Sequence, residues 1–425
     1  SNSIDKSSLY FLNNEELKDK LTYIINTFEN AKEIGSLLLV DAYDYLSLIY
    51  KAREDNNLFN SLMMDKLESL LKVAYILQKK YDVVVTNPPY MNNSVMSIIL
   101  KTYIQKKYSN VKSDMFSSFI LRNSKFGTNE SYLGFMTPYV WMFISSYEKL
   151  REHIINNLNI SSLIQLEYSA LEEATVPICT FVLKNQNSDT NGSYFKLTNY
   201  KGGMEIQERK FLEINNNKLN EYYLKGQNEF LKIPGCPIAY WVSKKYIEIF
   251  KNPSLSKFGL ACVGLQTGDN NRFLREWYEV NINNTLLNSK SVEESKISNV
   301  KWFPYNKGGE FRKWYGNLKY VVNWEKDGYE IKNLKNCNGK LLSRPQNLQY
   351  IYLEGITWTL LSSSYFGCRI LPLGCISDVN GMMFFIKKNC NKYYMLAFLT
   401  SKVASNFLSI INPTLAFQSG DISKI

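Results

Sequence analysis

Tyr81-Asp82-Val83-Val84-Val85-Thr86-Asn87-Pro88-Pro89-Tyr90 is the stretch whose reading settles the architecture. Its first six residues form a short β-branched run, which reads as a buried strand of a parallel sheet. Two prolines in succession then remove the ladder donors, so the chain must leave the sheet after Thr86. Ligands of open α/β sheets sit just beyond the carboxyl ends of the strands. The turn therefore brings an amide side chain, a stiff backbone carbonyl and an aromatic ring to the rim of a candidate active site. The plainer reading of these residues is a proline-rich turn after a core strand.

Those three groups suit work on an exocyclic amine. The amino nitrogen of adenine is a poor nucleophile because its lone pair is delocalised into the ring. Asn87 Oδ1 and the Pro88 carbonyl can each accept one of its N–H bonds and draw it toward a tetrahedral geometry. The lone pair then faces a sulfonium methyl, and positioning with electrostatics carries the displacement. Tyr90 supplies a face on which a flipped-out base stacks.

Outward from this turn, residues 1–80 read as mostly helical, with apolar residues at helical spacing over 57–80 and an interruption at Gly35. Residues 94–123 read as helical and Tyr132–Pro138 as a strand. Trp141, Phe143 and Tyr147 begin a ring-rich helix, and Leu163–Glu167 and Val176–Leu183 are the last strands of the sheet. Polar residues from Asn185 to Gly192 mark a loop. The expected organisation is a helical part over 1–80, a core over 81–185, a linker over 186–232 and a mixed α/β domain over 233–425. Between Lys301 and Arg344 ten Lys/Arg stand against four Asp/Glu, interleaved with Trp302, Tyr305, Trp314, Tyr315, Tyr320, Trp324 and Tyr329. This segment reads either as a DNA-facing surface or as a solvated basic face over an aromatic core.

Composition agrees. The 425 residues allow two or more domains, and a net charge of +11 with 30 tyrosines favours a polyanion whose bases stack on rings. With seven scattered cysteines, no C-x-x-C pair and a single histidine, no zinc site is expected. No apolar run reaches membrane-spanning length and no signal peptide is visible, so the expectation is a bacterial cytoplasmic protein with free thiols.

Lys80 to Met91 as a whole resembles the catalytic motif of amino-group-specific adenine DNA methyltransferases. More narrowly, the chain resembles the large methyltransferases of BREX phage-resistance systems, the PglX type, related to single-chain restriction–modification enzymes. The likeness extends through Ser113-Asp114-Met115-Phe116, Gly134-Phe135-Met136-Thr137-Pro138, Thr267-Gly268-Asp269-Asn270-Asn271-Arg272-Phe273, Trp302 to Gly309 and Asn412 to Gln418. It implies a partial doubly wound, Rossmann-like α/β sheet followed by a mixed α/β target-recognition domain. It implies S-adenosylmethionine as methyl donor, double-stranded DNA as partner and other phage-defence proteins as further partners. Asn87, Pro88, Pro89 and Tyr90 are then catalytic. Phe181 is a candidate for the second face of a base sandwich, or a core ring. Asp41, Asp44 and Asp114 are candidates for the donor site, or helix caps. Asn270, Asn271, Arg272, Lys307, Arg312 and Lys313 are candidate DNA contacts.

One departure stands out. The resembled enzymes carry a glycine-rich donor turn ahead of the catalytic motif, and Gly35 is the only glycine before Tyr81. The chain also opens with Ser1-Asn2-Ser3 rather than methionine. The expectation is an N-terminally truncated enzyme with half a donor site. Two other readings stay open: the methyltransferase part of a fused restriction–modification enzyme, and a non-catalytic DNA-recognition subunit of a defence complex.

Overall fold

A computed structural model describes residues 14–54, 61–168, 170, 176–362, 365–387 and 389–425. The opening Ser-Asn-Ser lies outside them. The chain divides into two compact units, residues 1–231 and 232–425.

The first unit runs α1 (Glu15–Thr27), α2 (Ala31–Ile34), α3 (Tyr45–Glu54), α4 (Ser61–Gln78), β1 (Tyr81–Thr86), α5 (Ile98–Lys107), α6 (Met115–Phe126), β2 (Gly127–Pro138), α7 (Glu148–Asn157), β3 (Asn159–Gln165), β4 (Ile178–Lys184), β5 (Gly192–Lys196), α8 (Gly203–Asn217) and β6 (Tyr222–Lys225). Leu17, Leu21 and Ile24 of α1 recur every three or four residues, so one face of the helix is apolar. That face packs with Tyr45 and Leu48 of α3 and Leu67, Leu71 and Ala74 of α4 into a helical core. Asn14 caps α1 by accepting from Leu17 N at 3.0 Å.

The sheet order is β1-β2-β4-β3-β5-β6. β1 is parallel to β2, and β3 to β5, whereas β4 is antiparallel to both β2 and β3. The fold is thus α/β with an open mixed sheet, the antiparallel β4 lying inside it. Three expectations change. First, β1 is an edge strand, not a buried one: Val83 and Val85 are 62% and 76% exposed. Second, residues 186–232 are not a linker, because β5 and β6 extend the sheet and α8 buries Gln207 and Ile214. Their strands alternate only weakly in polarity, which hides them in the sequence. Third, Trp141, Phe143 and Tyr147 lie buried in two short 3-10 turns and the loop joining them, ahead of α7.

The second unit runs α9 (Lys244–Ile249), β7 (Gly259–Cys262), α10 (Asn270–Phe273), β8 (Leu274–Glu276), α11 (Val292–Ile297), β9 (Trp302–Asn306), β10 (Tyr320–Asn323), α12 (Glu325–Lys332), β11 (Gly355–Thr359), β12 (Cys368–Leu371), β13 (Ile376–Ser377), β14 (Gly381–Ile386), α13 (Lys392–Leu399), α14 (Lys402–Ile411) and α15 (Ser419–Ser423). Two four-stranded sheets result, β13-β9-β10-β8 and β12-β11-β14-β7. Asn306 joins them: its Nδ2 donates to Ser377 Oγ (3.1 Å) in the first sheet, and to Thr357 Oγ1 (2.7 Å) and Gly381 O (3.2 Å) in the second. The backbones are so close there that a Cβ on Gly381 would lie 2.2 Å from Asn306 O. Ile356, Trp358, Met382 and Phe384 pack against Leu396, Leu399 and Leu408 of α13 and α14. No single helix among the described residues is long and apolar enough to cross a membrane.

Candidate active site

β1 and β2 run side by side to the pair Thr86↔Phe135. The chain leaves β1 at Asn87, so the turn stands at the carboxyl ends of two parallel strands. Pro88 is buried and pins the turn, while Asn87 and Pro89 face outward. Tyr90 folds back: its hydroxyl donates to Asn87 Oδ1 at 2.8 Å, with Met136 O a second acceptor at 3.2 Å. Its ring meets Phe116 edge-on at 6.5 Å, and Phe116 packs on Tyr147 at 5.5 Å. Burial raises the Tyr90 pKa, helped by Cys179 nearby, so the group stays a hydroxyl donor. Asn87 and Tyr90 thus meet directly, a link that spacing alone does not reveal.

The turn is also tied from its far side. Met91 N donates to Asp114 Oδ1 at 3.1 Å, and Met115 N donates to Met91 O at 2.9 Å. Asn93 N adds a bond to Ser113 O at 3.2 Å. The same Asp114 oxygen accepts from Phe116 N at 3.3 Å and so caps α6. Burial raises the Asp114 pKa, against the lowering effect of the N–H groups of Phe116, Met91 and Met115. Asp114 thus holds the Asn87–Tyr90 turn to α6, through bonds to backbone on both sides.

The other first-unit candidates are not brought to the turn. Phe181 is a core ring and not the second face of a base sandwich: it is 1% exposed, stacked on Phe135 at 5.2 Å and tilted against Trp141 at 5.0 Å. Asp44 Oδ1 accepts from Ser47 N at 3.0 Å and caps α3. Asp41 accepts from the Tyr45 hydroxyl through its carbonyl at 2.8 Å, and its carboxylate, bonded to Tyr23, raises that phenol's pKa. Among the described residues no hydrogen bond joins either aspartate to residues 87–90.

Among the described residues the three candidate donor-site aspartates serve the protein's own chain: Asp44 and Asp114 cap helices and the Asp41 carbonyl accepts from Tyr45. Gly35 has positive φ and open space around it, but the cavity beside it, about 490 Å³, is lined by Phe28, Leu38, Leu70, Val73 and Leu77, with no charged side chain for a ribose. That apolar lining does not fit the ribose of a nucleoside donor. Among the described residues no group of three His, Cys, Asp or Glu could hold a metal ion.

In the second unit, Asn270, Asn271 and Arg272 form the exposed turn of α10. Asp269 caps it, accepting from Arg272 N at 3.0 Å, and Asn270 Oδ1 accepts from Thr267 Oγ1 at 2.8 Å. The Arg272 guanidinium pairs with Glu330 at 2.7 Å, both groups half exposed. Lys307 Nζ lies 5.2 Å from the Tyr320 ring centre, Arg312 is exposed, and Lys313 Nζ donates to Thr400 O at 3.0 Å. The aromatic residues of 301–344 divide. Tyr305 and Trp324 are core, whereas Trp314, Tyr315 and Tyr329 are exposed. Composition cannot make that division, because it follows from which side of β9 and β10 is covered.

Residues 1–171 match the Eco57I restriction-modification methylase family. The chain is 33% identical over 423 residues to the adenine-specific methyltransferase PglX of Lacticaseibacillus casei (strain Zhang), across 95% of this chain and 35% of that one. It is 33% identical over 410 residues to the adenine-specific methyltransferase BrxX of Escherichia coli O9:H4 (strain HS), across 93% and 32%. The chain spans about a third of the length of these relatives. A solved nuclease-deletion mutant of the Type ISP restriction-modification enzyme LlaGI, in complex with a DNA substrate mimic, shares the fold at 12% identity. That match has a TM-score of 0.50 over 84% of this chain and 35% of that chain. The chain is therefore similar, over about a third of their length, to the adenine-specific methyltransferases PglX and BrxX, and its first 171 residues are similar to a restriction-modification methylase family.

Proposed function

We propose that this chain is the acceptor-binding and target-reading part of an enzyme that methylates adenine N6 in double-stranded DNA, in bacterial host modification and phage defence. The observation that carries the reading is the turn at the end of β1, where Asn87 Oδ1 accepts from the Tyr90 hydroxyl across the two prolines. In this reading the two oxygens accept the two N–H bonds of a flipped adenine, and the Tyr90 ring stacks on it. Pulling both hydrogens toward acceptors localises the nitrogen lone pair, so the amine becomes nucleophilic without a prior base. Tyr90 Oη occupies one lone pair of Asn87 Oδ1 and holds the amide so that the other is left for the amine. S-adenosylmethionine is the methyl donor this reading requires, and the described residues account for the amine's side of the reaction. The exposed turn of α10 and the basic segment beyond it support the reading of the second unit as the part that meets DNA.

The test is methyladenine in DNA from cells carrying the full-length gene, read by sequencing that detects modified bases. Asn87→Ala should cut methyl transfer at least ~100-fold while DNA binding persists, as when one transition-state hydrogen bond is lost. Near-normal turnover of that variant would sink the assignment.

A further inference from the structure

Residues 307–316, between β9 and β10, form a strap with an unusual display. Five consecutive side chains, Phe311, Arg312, Lys313, Trp314 and Tyr315, are exposed. A flexible loop would explain that, but this one is bound at both ends. Trp314 N donates to Cys368 O at 2.9 Å and Ile370 N donates to Trp314 O at 3.0 Å, so the strap lies along β12. Thr359 Oγ1 donates to Gly309 O at 2.9 Å, and Asn317 Nδ2 donates to Glu310 O at 2.8 Å. Trp314 itself has φ of 74°, a left-handed conformation that costs energy for a residue with a side chain. The fold thus holds large rings toward solvent, with Tyr365, 77% exposed, beside Phe311 at 6.3 Å.

Next to the strap, β12 buries a charge. Arg369 is 1% exposed. Its Nη2 is 3.4 Å from Thr359 Oγ1, and its Nε has no hydrogen-bond partner. Among the described residues no Asp or Glu forms an ion pair with it; Cys368 favours its charge and the like-charged Arg312 opposes it. Burial and Arg312 both disfavour its positive charge, and its pKa falls accordingly. A buried cation with an unfilled donor and a second cation close by is a poor stabiliser of a fold. It makes sense where an anion arrives from outside.

We propose that the strap and Arg369 form a DNA-strand site, in which Arg312 takes a phosphodiester, Trp314 and Tyr315 stack on unpaired bases, and Arg369 supplies the buried positive charge that the phosphate balances. This rests on the reading of the second unit as the part that meets DNA. Arg369 is a positioning residue there: it acts on the phosphate through its field and not by contact. Rings interleaved with cations suit a strand whose bases are out of the stack, because every base offers a face and every nucleotide a phosphate.

The experiment uses the full-length protein and two fluorescein-labelled probes, a duplex and one of its single strands, followed by anisotropy over a salt series. Arg369→Met should weaken binding to both probes and reduce the salt slope by about one, as for the loss of one phosphate charge. Arg369→Lys, which keeps the charge, should retain the wild-type slope. The thermal midpoint of Arg369→Met should stay level or rise, since an unbalanced buried charge has gone. An arginine with a merely structural role would give the reverse, a lower midpoint and an unchanged slope, and that result overturns the proposal. If the Met variant does not fold, Arg369→Gln takes its place, and failure of both to fold overturns it as well. Trp314→Ala should cost roughly tenfold or more on the single strand while leaving the salt slope alone, the scale of one lost base stack. Equal single-strand affinity with and without the Trp314 ring counts against stacking. If Arg312→Glu weakens binding but Arg369→Met does not, the DNA-facing reading stands and this proposal falls. If the wild-type protein binds neither probe, the underlying reading fails too.

Discussion

Removing the Asp114 carboxylate tests whether the Asn87–Tyr90 turn is held by α6. In Asp114→Ala the helix loses its cap, about 1 kcal/mol by comparison with other caps. Met91 N–H loses its acceptor in a half-buried position, which costs about 1–3 kcal/mol. Together these give about 2–4 kcal/mol before any relief from removing a buried charge. That sum corresponds to a fall of about 4–16 °C in the thermal midpoint of a unit of this size. Asp114→Asn separates geometry from charge. The amide keeps an oxygen for Met91 N and Phe116 N. The carboxyl's pKa is raised by burial, so it binds its proton more tightly folded than unfolded. Its ionised form therefore costs stability at neutral pH, and the cost disappears as pH falls below the raised value. Asp114→Asn should accordingly equal or exceed the wild type in stability at neutral pH and lose that advantage in acid. Thermal unfolding of the full-length protein, with incorporation of labelled methyl into DNA, reads both effects. An alanine variant with wild-type midpoint and turnover, or an asparagine variant as damaged as the alanine one, would refute the clamp.

Tyr90→Phe should lose the bond that orients Asn87 and slow methyl transfer roughly fivefold, the scale of one net hydrogen bond of about 1 kcal/mol. Tyr90→Ala should further weaken capture of the flipped base, seen as a smaller rise in 2-aminopurine fluorescence at the target position; an unchanged signal would count against stacking. Gly381→Ala should destabilise the second unit sharply, because its new methyl would lie 2.2 Å from Asn306 O, and urea denaturation measures the loss. Calorimetry on residues 1–425 alone should show S-adenosylmethionine binding weakly or not at all, and micromolar affinity would mean that the donor site has been misread.

The turn after β1 was legible because its determinants are local. Two prolines after a β-branched run must end a strand wherever that strand sits, and Asn87 and Tyr90 follow at fixed offsets. Whether β1 was buried depended on its neighbours, and the same Val-Val-Val run serves an edge or a centre equally well. Phe181 failed for a related reason: alternation gives the two faces of β4 but not which ring each face meets, and Phe135 with Trp141 fills the space. Asp114 showed itself as a cap, since a carboxylate before an apolar helical run signals one. Its reach back to Met91 N spans a fold in the chain that spacing does not encode. In the basic segment, Tyr305 and Trp324 look no different in sequence from Trp314 and Tyr315.

The open side of β1 bears on how the protein behaves in a tube. Edge strands with exposed apolar side chains are templates for intermolecular pairing, and Val83 and Val85 are such side chains. Asp82 stands before the run with an exposed carboxylate that accepts from Thr128 Oγ1 at 3.0 Å, and Lys79 and Lys80 precede it. Charges at one end of a three-valine run discourage a second copy from zipping alongside, but they are screened by salt. Residues 1–425 purified alone should therefore stay dispersed at low ionic strength and become turbid as salt and concentration rise, with β1 as the point of adhesion.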